Sequence, residues 1–207
     1  MKLRSLILPA LVAFATPVAA HADSQTENFV KLNANEVLNS LNNPDLTSEE
    51  RTALFSGYME EFANIDAVSK FVIGKYANRF TAEDLQAYQD AFRTYALAVY
   101  QAQLDDYRGN EVVVDGSTDR SPSDSIVDTT IERADGRSMD VRWRVLQRNG
   151  EYQVVDVALD IDGNLIWLAI EQRAQFLALL DRTNGSADAL VNKINSMTSQ
   201  LETEMRK

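Results

Sequence analysis

Residues 81–116 read TAEDLQAYQDAFRTYALAVYQAQLDDYRGNEVVVDG, and the spacing of apolar residues changes within this one stretch. Leu85, Tyr88, Phe92, Tyr95, Val99 and Ala102 recur at steps of three and four, which puts them on one face of a helix. Thr81 followed by Asp84 makes a capping-box-like start, and Gly109 ends the run. No heptad pattern continues beyond it, so a coiled coil is not indicated. From Asn110 the period falls to two, the spacing of a half-buried strand.

Downstream, EVVVDG (111–116), SIVDTTIER (125–133), SMDVRWRVLQR (138–148) and EYQVVDVALD (151–160) read as four strands. Asp135-Gly136 and Asn149-Gly150 separate successive strands, and such pairs favour the tight turns whose twist suits hairpins. The pattern predicts a three-stranded antiparallel meander with a fourth strand beside it. Within 138–148, Met139, Val141, Trp143 and Val145 point one way, while Asp140, Arg142 and Arg144 point the other. One sheet face is therefore apolar and one is wet.

Helical periods return on both flanks. ENFVKLNANEVLNSLNN (27–43) carries Phe29, Val37, Leu38 and Leu41 and stops at Asn43-Pro44. TSEERTALFSGYMEEF (47–62) opens with a Thr47/Ser48 cap and acids in its first turn. DAVSKFVIGKY (66–76) ends near Gly74. LIWLAIEQRAQFLALLDR (165–182) and SADALVNKINSMTSQLETEM (186–205) follow the strands. Helices, then strands, then helices define an α+β domain in which helices wrap around a twisted antiparallel four-stranded sheet. The long aromatic-faced helix is expected to pack across the apolar sheet face.

The first residues carry an address. Lys2 and Arg4 precede SLILPALVAFATPVA, which is too short to cross a bilayer, since a spanning helix needs about 20 apolar residues. Ala20-His21-Ala22 is a small-x-small site of the kind a signal peptidase accepts. Cleavage after Ala22 is expected, leaving residues 23–207 as one exported domain in a bacterial periplasm. A chain of this length buries roughly 70% of its unfolded surface, so it can stand without disulfides.

That cut removes much chemistry. The chain has a single histidine, His21, and no cysteine. The remainder therefore lacks nucleophile triads that need His or Cys, thiolate metal sites and histidine-bound zinc or haem. The net charge is −11, and losing Lys2 and Arg4 makes the remainder more acidic still. Phosphate backbones and anionic membrane surfaces repel such a chain, which excludes nucleic acid as a partner.

Several of these segments together resemble a known family. FVIGKYANRFTAEDLQAYQDAFRTYALAVYQAQLDDYRG (71–109) resembles the central helices of the MlaC-type toluene-tolerance proteins. The shared pattern is an apolar-Gly-x-Tyr segment, a Thr/Ser-start helix, then Phe and Tyr at helical spacing. VRWRVLQRNGEYQVVDVALD (141–160) is similar to the family's hairpin and Val-Asp-Val strand. QRAQFLALL (172–180) and GSADALVNKI (185–194) resemble its Arg-x-x-Phe helix and final Gly-x-x-x-Leu segment. The likeness spans most of residues 50–195. Tyr152 departs from it, standing where Trp is frequent. So does Asp162-Gly163-Asn164-Leu165, which replaces a Glu-Gly-x-Ser stretch.

The resemblance implies a periplasmic carrier of a phospholipid or related two-tailed lipid. It implies acyl chains held in an internal apolar cavity between the helices and the sheet. It further implies exchange with an inner-membrane ABC transporter complex and an outer-membrane lipoprotein complex, in a system maintaining outer-membrane lipid asymmetry. The chain is expected to act as a monomer, without cofactor, metal or catalytic residues. A periplasmic adaptor that binds protein and holds no cargo is the alternative from another class.

The lining of such a cavity can be assigned residue by residue. Tyr88, Phe92, Tyr95 and Val99 offer the aromatic face of the long helix. Ile131, Val141, Trp143, Val145, Val155 and Val157 offer the sheet face. Val72, Ile73 and Tyr76 join from the short helix, and Leu165, Trp167 and Ile170 from the segment after the strands.

Two other signals dissolve on inspection. Asp160, Asp162, Asn164 and Glu171 match positions 1, 3, 5 and 12 of a calcium loop, but Leu165 stands where the turn requires glycine. The adjacent acids Glu60/Glu61 and Asp105/Asp106 diverge by about 100° on a helix, unlike a glycosidase pair.

Overall fold

The computed structural model describes residues 24–102, 109–133, 136–161 and 163–205. The proposed leader, His21 and the Asp105/Asp106 pair lie outside the described residues, as do Asp135 and Asp162. Four helices come first: α1 (Ser24–Asn42), α2 (Ser48–Phe62), α3 (Ile65–Ile73) and α4 (Ala82–Ala102). Strands β1 (Gly109–Ser121), β2 (Asp124–Arg133), β3 (Ser138–Arg148), β4 (Glu151–Ile161) and β5 (Asn164–Trp167) follow, then α5 (Leu168–Arg182) and α6 (Ala187–Met205).

Local signals set these boundaries. The Thr47 hydroxyl accepts from the Glu50 amide at 3.2 Å, while the Glu50 carboxylate accepts from the Thr47 amide at 2.8 Å. This reciprocal pair satisfies two free donors at the start of α2. Hydrogen bonding to Thr47 also holds the Glu50 carboxyl below its ordinary range. Asn149 and Gly150 both have positive φ, 54° and 87°, as the two-residue turn between β3 and β4 requires.

The sheet is a single antiparallel meander in the order β1-β2-β3-β4-β5. It has five strands, not the four expected, because Leu165-Ile166-Trp167 belongs to β5 and not to the following helix. Ile161 pairs with Asn164, leaving Asp162-Gly163 between them, and Gly163 has φ +79°. A two-residue Asp-Gly connection favours a hairpin, and it outweighs the helical spacing of the apolar residues that follow. The helix then begins at Leu168, where the Asp156 carboxylate accepts the Ala169 amide at 2.9 Å.

Bulges bend the sheet. In β4, Val154 pairs with Val145 and Asp156 with Arg144, so Val155 is left without a cross-strand partner. Three further irregularities interrupt the β1–β2 ladder. Each adds local twist and curvature. On the outer face, Arg144 grips Asp124 through two hydrogen bonds of 2.9 and 3.1 Å, and Arg142 meets Asp128 at 2.7 Å.

The helix that lies on the sheet is α1, not the aromatic α4. Ala34 and Leu38 of α1 pack with Val112, Ile131, Val141 and Leu159, and Val30 packs with Val127 and Val145. Asn35 fixes this docking: its amide donates to the Val112 carbonyl at 3.2 Å and accepts the Val112 amide at 2.9 Å. Meanwhile α4 packs along α6. Tyr88 and Phe92 enter a solid core with Phe176, Leu180, Leu190 and Ile194, which takes the first part of the aromatic face assigned to the sheet.

Replacing Asn35 by alanine strips both backbone groups of buried Val112 of their side-chain partner. We expect Asn35→Ala to lower unfolding stability by about 1–3 kcal/mol and to speed hydrogen exchange at the Val112 amide. Unchanged exchange there would show that Asn35 does not secure α1.

Candidate functional site

Between α4 and the sheet lies a cavity of about 320 Å³. That is the lower end of the ~300–1,000 Å³ range of small-molecule sites. Helices α1 to α5 and the inner sheet face line it. Val37 and Leu41 come from α1, Tyr58, Met59 and Phe62 from α2, Ile65 and Val68 from α3, and Phe92, Tyr95, Ala96 and Val99 from α4. The floor is Val112, Ile131, Val141, Trp143, Val157 and Leu159.

The walls stay apolar because their few polar atoms mostly have partners. The Trp143 indole donates to the Thr129 hydroxyl at 2.9 Å, and that hydroxyl donates to the Val141 carbonyl at 3.0 Å. The ring face is thereby left to the hollow while its polar edge is satisfied. Asn33 donates to the Phe29 carbonyl at 2.8 Å. Burial raises the Tyr95 hydroxyl above its ordinary pKa; Tyr58, stacked on Phe62 at 5.6 Å, is raised by burial and by Glu36.

Three polar side chains also line the cavity near the start of α5: Asp156 from β4, and Glu171 and Gln172 from α5 itself. Asp156 is buried, and its carboxylate accepts the amides of Val157 and Ala169, each at 2.9 Å. It stands in for a cap at α5, since Trp167 offers no side-chain bond. Burial pushes its carboxyl above the usual range, and these amides and the Arg144 charge oppose that only in part. Gln172, one turn on, has its side-chain nitrogen buried with no hydrogen-bond partner among the described residues. Such an orphan costs roughly 1–3 kcal/mol.

Half of the residues assigned from sequence meet here: Phe92, Tyr95 and Val99, with Ile131, Val141, Trp143, Val155 and Val157. The others lie elsewhere. Val72, Ile73, Tyr76 and Tyr88 belong to the solid helical core, where the Tyr88 hydroxyl donates to the Ser69 carbonyl at 2.9 Å. Tyr76 donates instead to Asp181 at 2.7 Å. Val145 is sealed under α1 by Val30 and Val127. Leu165 and Trp167 sit on edge strand β5, and Ile170 is 50% exposed. The missed walls are those of α1 and α2. Val30, Ala34, Leu38 and Leu41 recur at steps of four and three, a stripe that marks a buried face.

Fold and cavity define an α+β domain with an apolar hollow walled by helices and a bent meander. Residues 31–196 match the model of the MlaC protein family, and the chain belongs to that family. No curated protein matches the chain. Among solved structures it is similar to the phospholipid-binding protein of Ralstonia solanacearum in complex with a phospholipid. The identity is 21% and the TM-score 0.72, over 86% of this chain and 98% of that one.

Asp156 yields a pH prediction. Because its folded pKa is raised, the folded state binds the proton more tightly than the unfolded one, and stability falls as pH rises through the folded pKa. Asp156→Asn keeps an acceptor for Ala169 and removes the charge. We expect it to raise the melting temperature at pH 7, with the gain shrinking towards pH 4. A gain that grows on acidification would contradict burial as the dominant influence.

Proposed function

We propose that this chain is a periplasmic lipid carrier, released by cleavage after Ala22. It binds the acyl chains of a glycerophospholipid and passes it between an inner-membrane ABC transporter complex and an outer-membrane lipoprotein complex. The hollow between α4 and the sheet is the observation that carries this reading. Its walls are almost wholly apolar, and apolar surface left facing water is unfavourable. An apolar occupant covers it.

The tails supply the complementary term. Each methylene withdrawn from water contributes about 0.8 kcal/mol, so two tails of roughly 30 methylenes together need a dry container worth more than 20 kcal/mol. Walls of Val, Leu, Met and aromatic side chains offer the tails much what a bilayer interior offers. Transfer between membrane and protein then runs close to thermal balance, and no bond-making group is required. Family membership and the lipid-bound neighbour of like fold support the same cargo class. Among the described residues no helix is long and apolar enough to cross a membrane.

Organic extraction of the purified protein, read by mass spectrometry, tests the reading. We expect about one two-tailed lipid per chain, and a protein that extracts clean would count against it. Ala96→Trp projects an indole into the hollow and excludes at least two methylenes, so bound lipid should fall about tenfold while the domain stays folded.

A further inference from the structure

A tail reaches the hollow only when a wall parts, and the wall with the least buried surface parts most easily. Helix α1 buries Thr26, Val30, Ala34, Leu38, Ser40 and Leu41, whereas α2 buries Phe55 alone. Yet Phe55, Tyr58, Met59 and Phe62 of α2 all line the cavity. Helix α2 is a cover laid over the hollow, outside the packed core.

The attachments of α2 are uneven. At its end, the Asn64 amide donates to the Val154 carbonyl at 3.2 Å, and the Asn64 carboxamide donates to Gln153 Oε1 at 2.7 Å. These bonds bolt the α2–α3 junction to β4. At its start, Arg51 donates to the Asn43 and Leu46 carbonyls of the loop that leads into the helix. Along one flank α2 packs on α1, where the Tyr58 hydroxyl bonds Glu36. The other flank faces α4 across a sparsely packed seam.

Arg93 of α4 spans that seam. Its guanidinium lies 3.0 Å from the Glu60 carboxylate of α2 and 3.1 Å from the Asp66 carboxylate of α3. Each of the three adjoins a lining residue: Glu60 follows Met59, Asp66 follows Ile65 and Arg93 follows Phe92. The side chains are 52%, 60% and 40% exposed in that order, so the ion pairs stand on the outer side of the cavity wall. Water and salt reach them there.

We propose that α2 is the wall that opens to admit a lipid tail, and that Arg93 is the positioning residue that latches it shut. One arm of the guanidinium grips Glu60 on the moving helix, and the other is held by Asp66 beside the bolted junction. The inference rests on the lipid-carrier reading and adds the route of entry. Exposed ion pairs contribute little to stability, which suits a latch that must let go at every exchange.

The test loads the protein with a phosphatidylethanolamine carrying one fluorescent tail. It is then mixed with phosphatidylcholine vesicles that hold a lipid-borne quencher, and transfer is timed by the loss of emission. Losing two exposed pairs predicts that Arg93→Gln transfers roughly two- to tenfold faster at low salt. The amount bound at equilibrium should not change, because entry and exit quicken together. Salt at about 0.5 M should speed the wild type and leave Arg93→Gln unmoved. Arg93→Lys keeps a cation and should return the rate towards the wild type. The chain has no cysteine, so Glu60→Cys with Arg93→Cys makes a unique pair across the seam. Joining that pair with a short bismaleimide should arrest transfer, whereas the same linker between Gln86→Cys and Asp90→Cys, within α4, should not. Transfer through the joined seam at the unjoined rate, equal arrest by the α4 linker, or a wild-type rate in Arg93→Gln overturns the latch and leaves the carrier reading intact. Wild-type protein that takes up no lipid overturns both.

Discussion

The structure depends on where the long helix spends its aromatic face. Tyr88 and Phe92 of α4 pack with Phe176, Leu190 and Ile194, and the Phe92 and Phe176 rings meet edge to face with centroids 6.4 Å apart. Edge-to-face pairs add roughly 0.5–1.5 kcal/mol beyond area burial, and the Tyr88 hydroxyl anchors to Ser69 besides. That lock holds α4 against α3, α5 and α6. On the other side α1 is seated on the sheet through Ala34, whose small side chain permits close approach, and through the two bonds of Asn35. With both elements committed, Tyr95, Ala96 and Val99 look across a gap at Val141 and Trp143, and no side chain is left to fill it.

The core divides in two. The solid half is built mainly on α3, α4, α5 and α6. The walls of the hollow half are mainly apolar side chains, which make no bond requiring a particular partner. The wet face follows a different rule. Arg142 and Arg144 are taken by Asp128 and Asp124, so the outer sheet surface offers no free basic stripe there, in keeping with a chain of net charge −11.

Much of this was legible in the chain. The helical stretches, the sheet and the switch near Asn110 follow from period alone, because side chains on a strand alternate while those on a helix return every three or four residues. Asn149-Gly150 turns as its composition dictates. Two things escaped. Leu165-Ile166-Trp167 fits helix and strand equally by hydrophobicity, and only the Asp162-Gly163 connection decides between them. The partner of the sheet could not be read either, since α1 and α4 both carry apolar stripes. Which one docks depends on Ala34 and Asn35 meeting a bulged β1, a tertiary match with no trace in periodicity. For the same reason Tyr88, at the centre of the aromatic face, proved to be solid core, while Tyr95, two turns on, borders the hollow.

The central claim is that fatty chains occupy the space between α4 and the sheet. The chain has two tryptophans, Trp143 in the cavity floor and Trp167 on the edge strand. In a Trp167→Phe variant the fluorescence reports Trp143 alone, and bromine quenches an indole only at contact. Loading this variant with a phospholipid carrying dibrominated acyl chains should abolish most of its emission relative to the unbrominated lipid. Brominated lipid that binds stoichiometrically and leaves Trp143 emission unchanged would place the tails somewhere else.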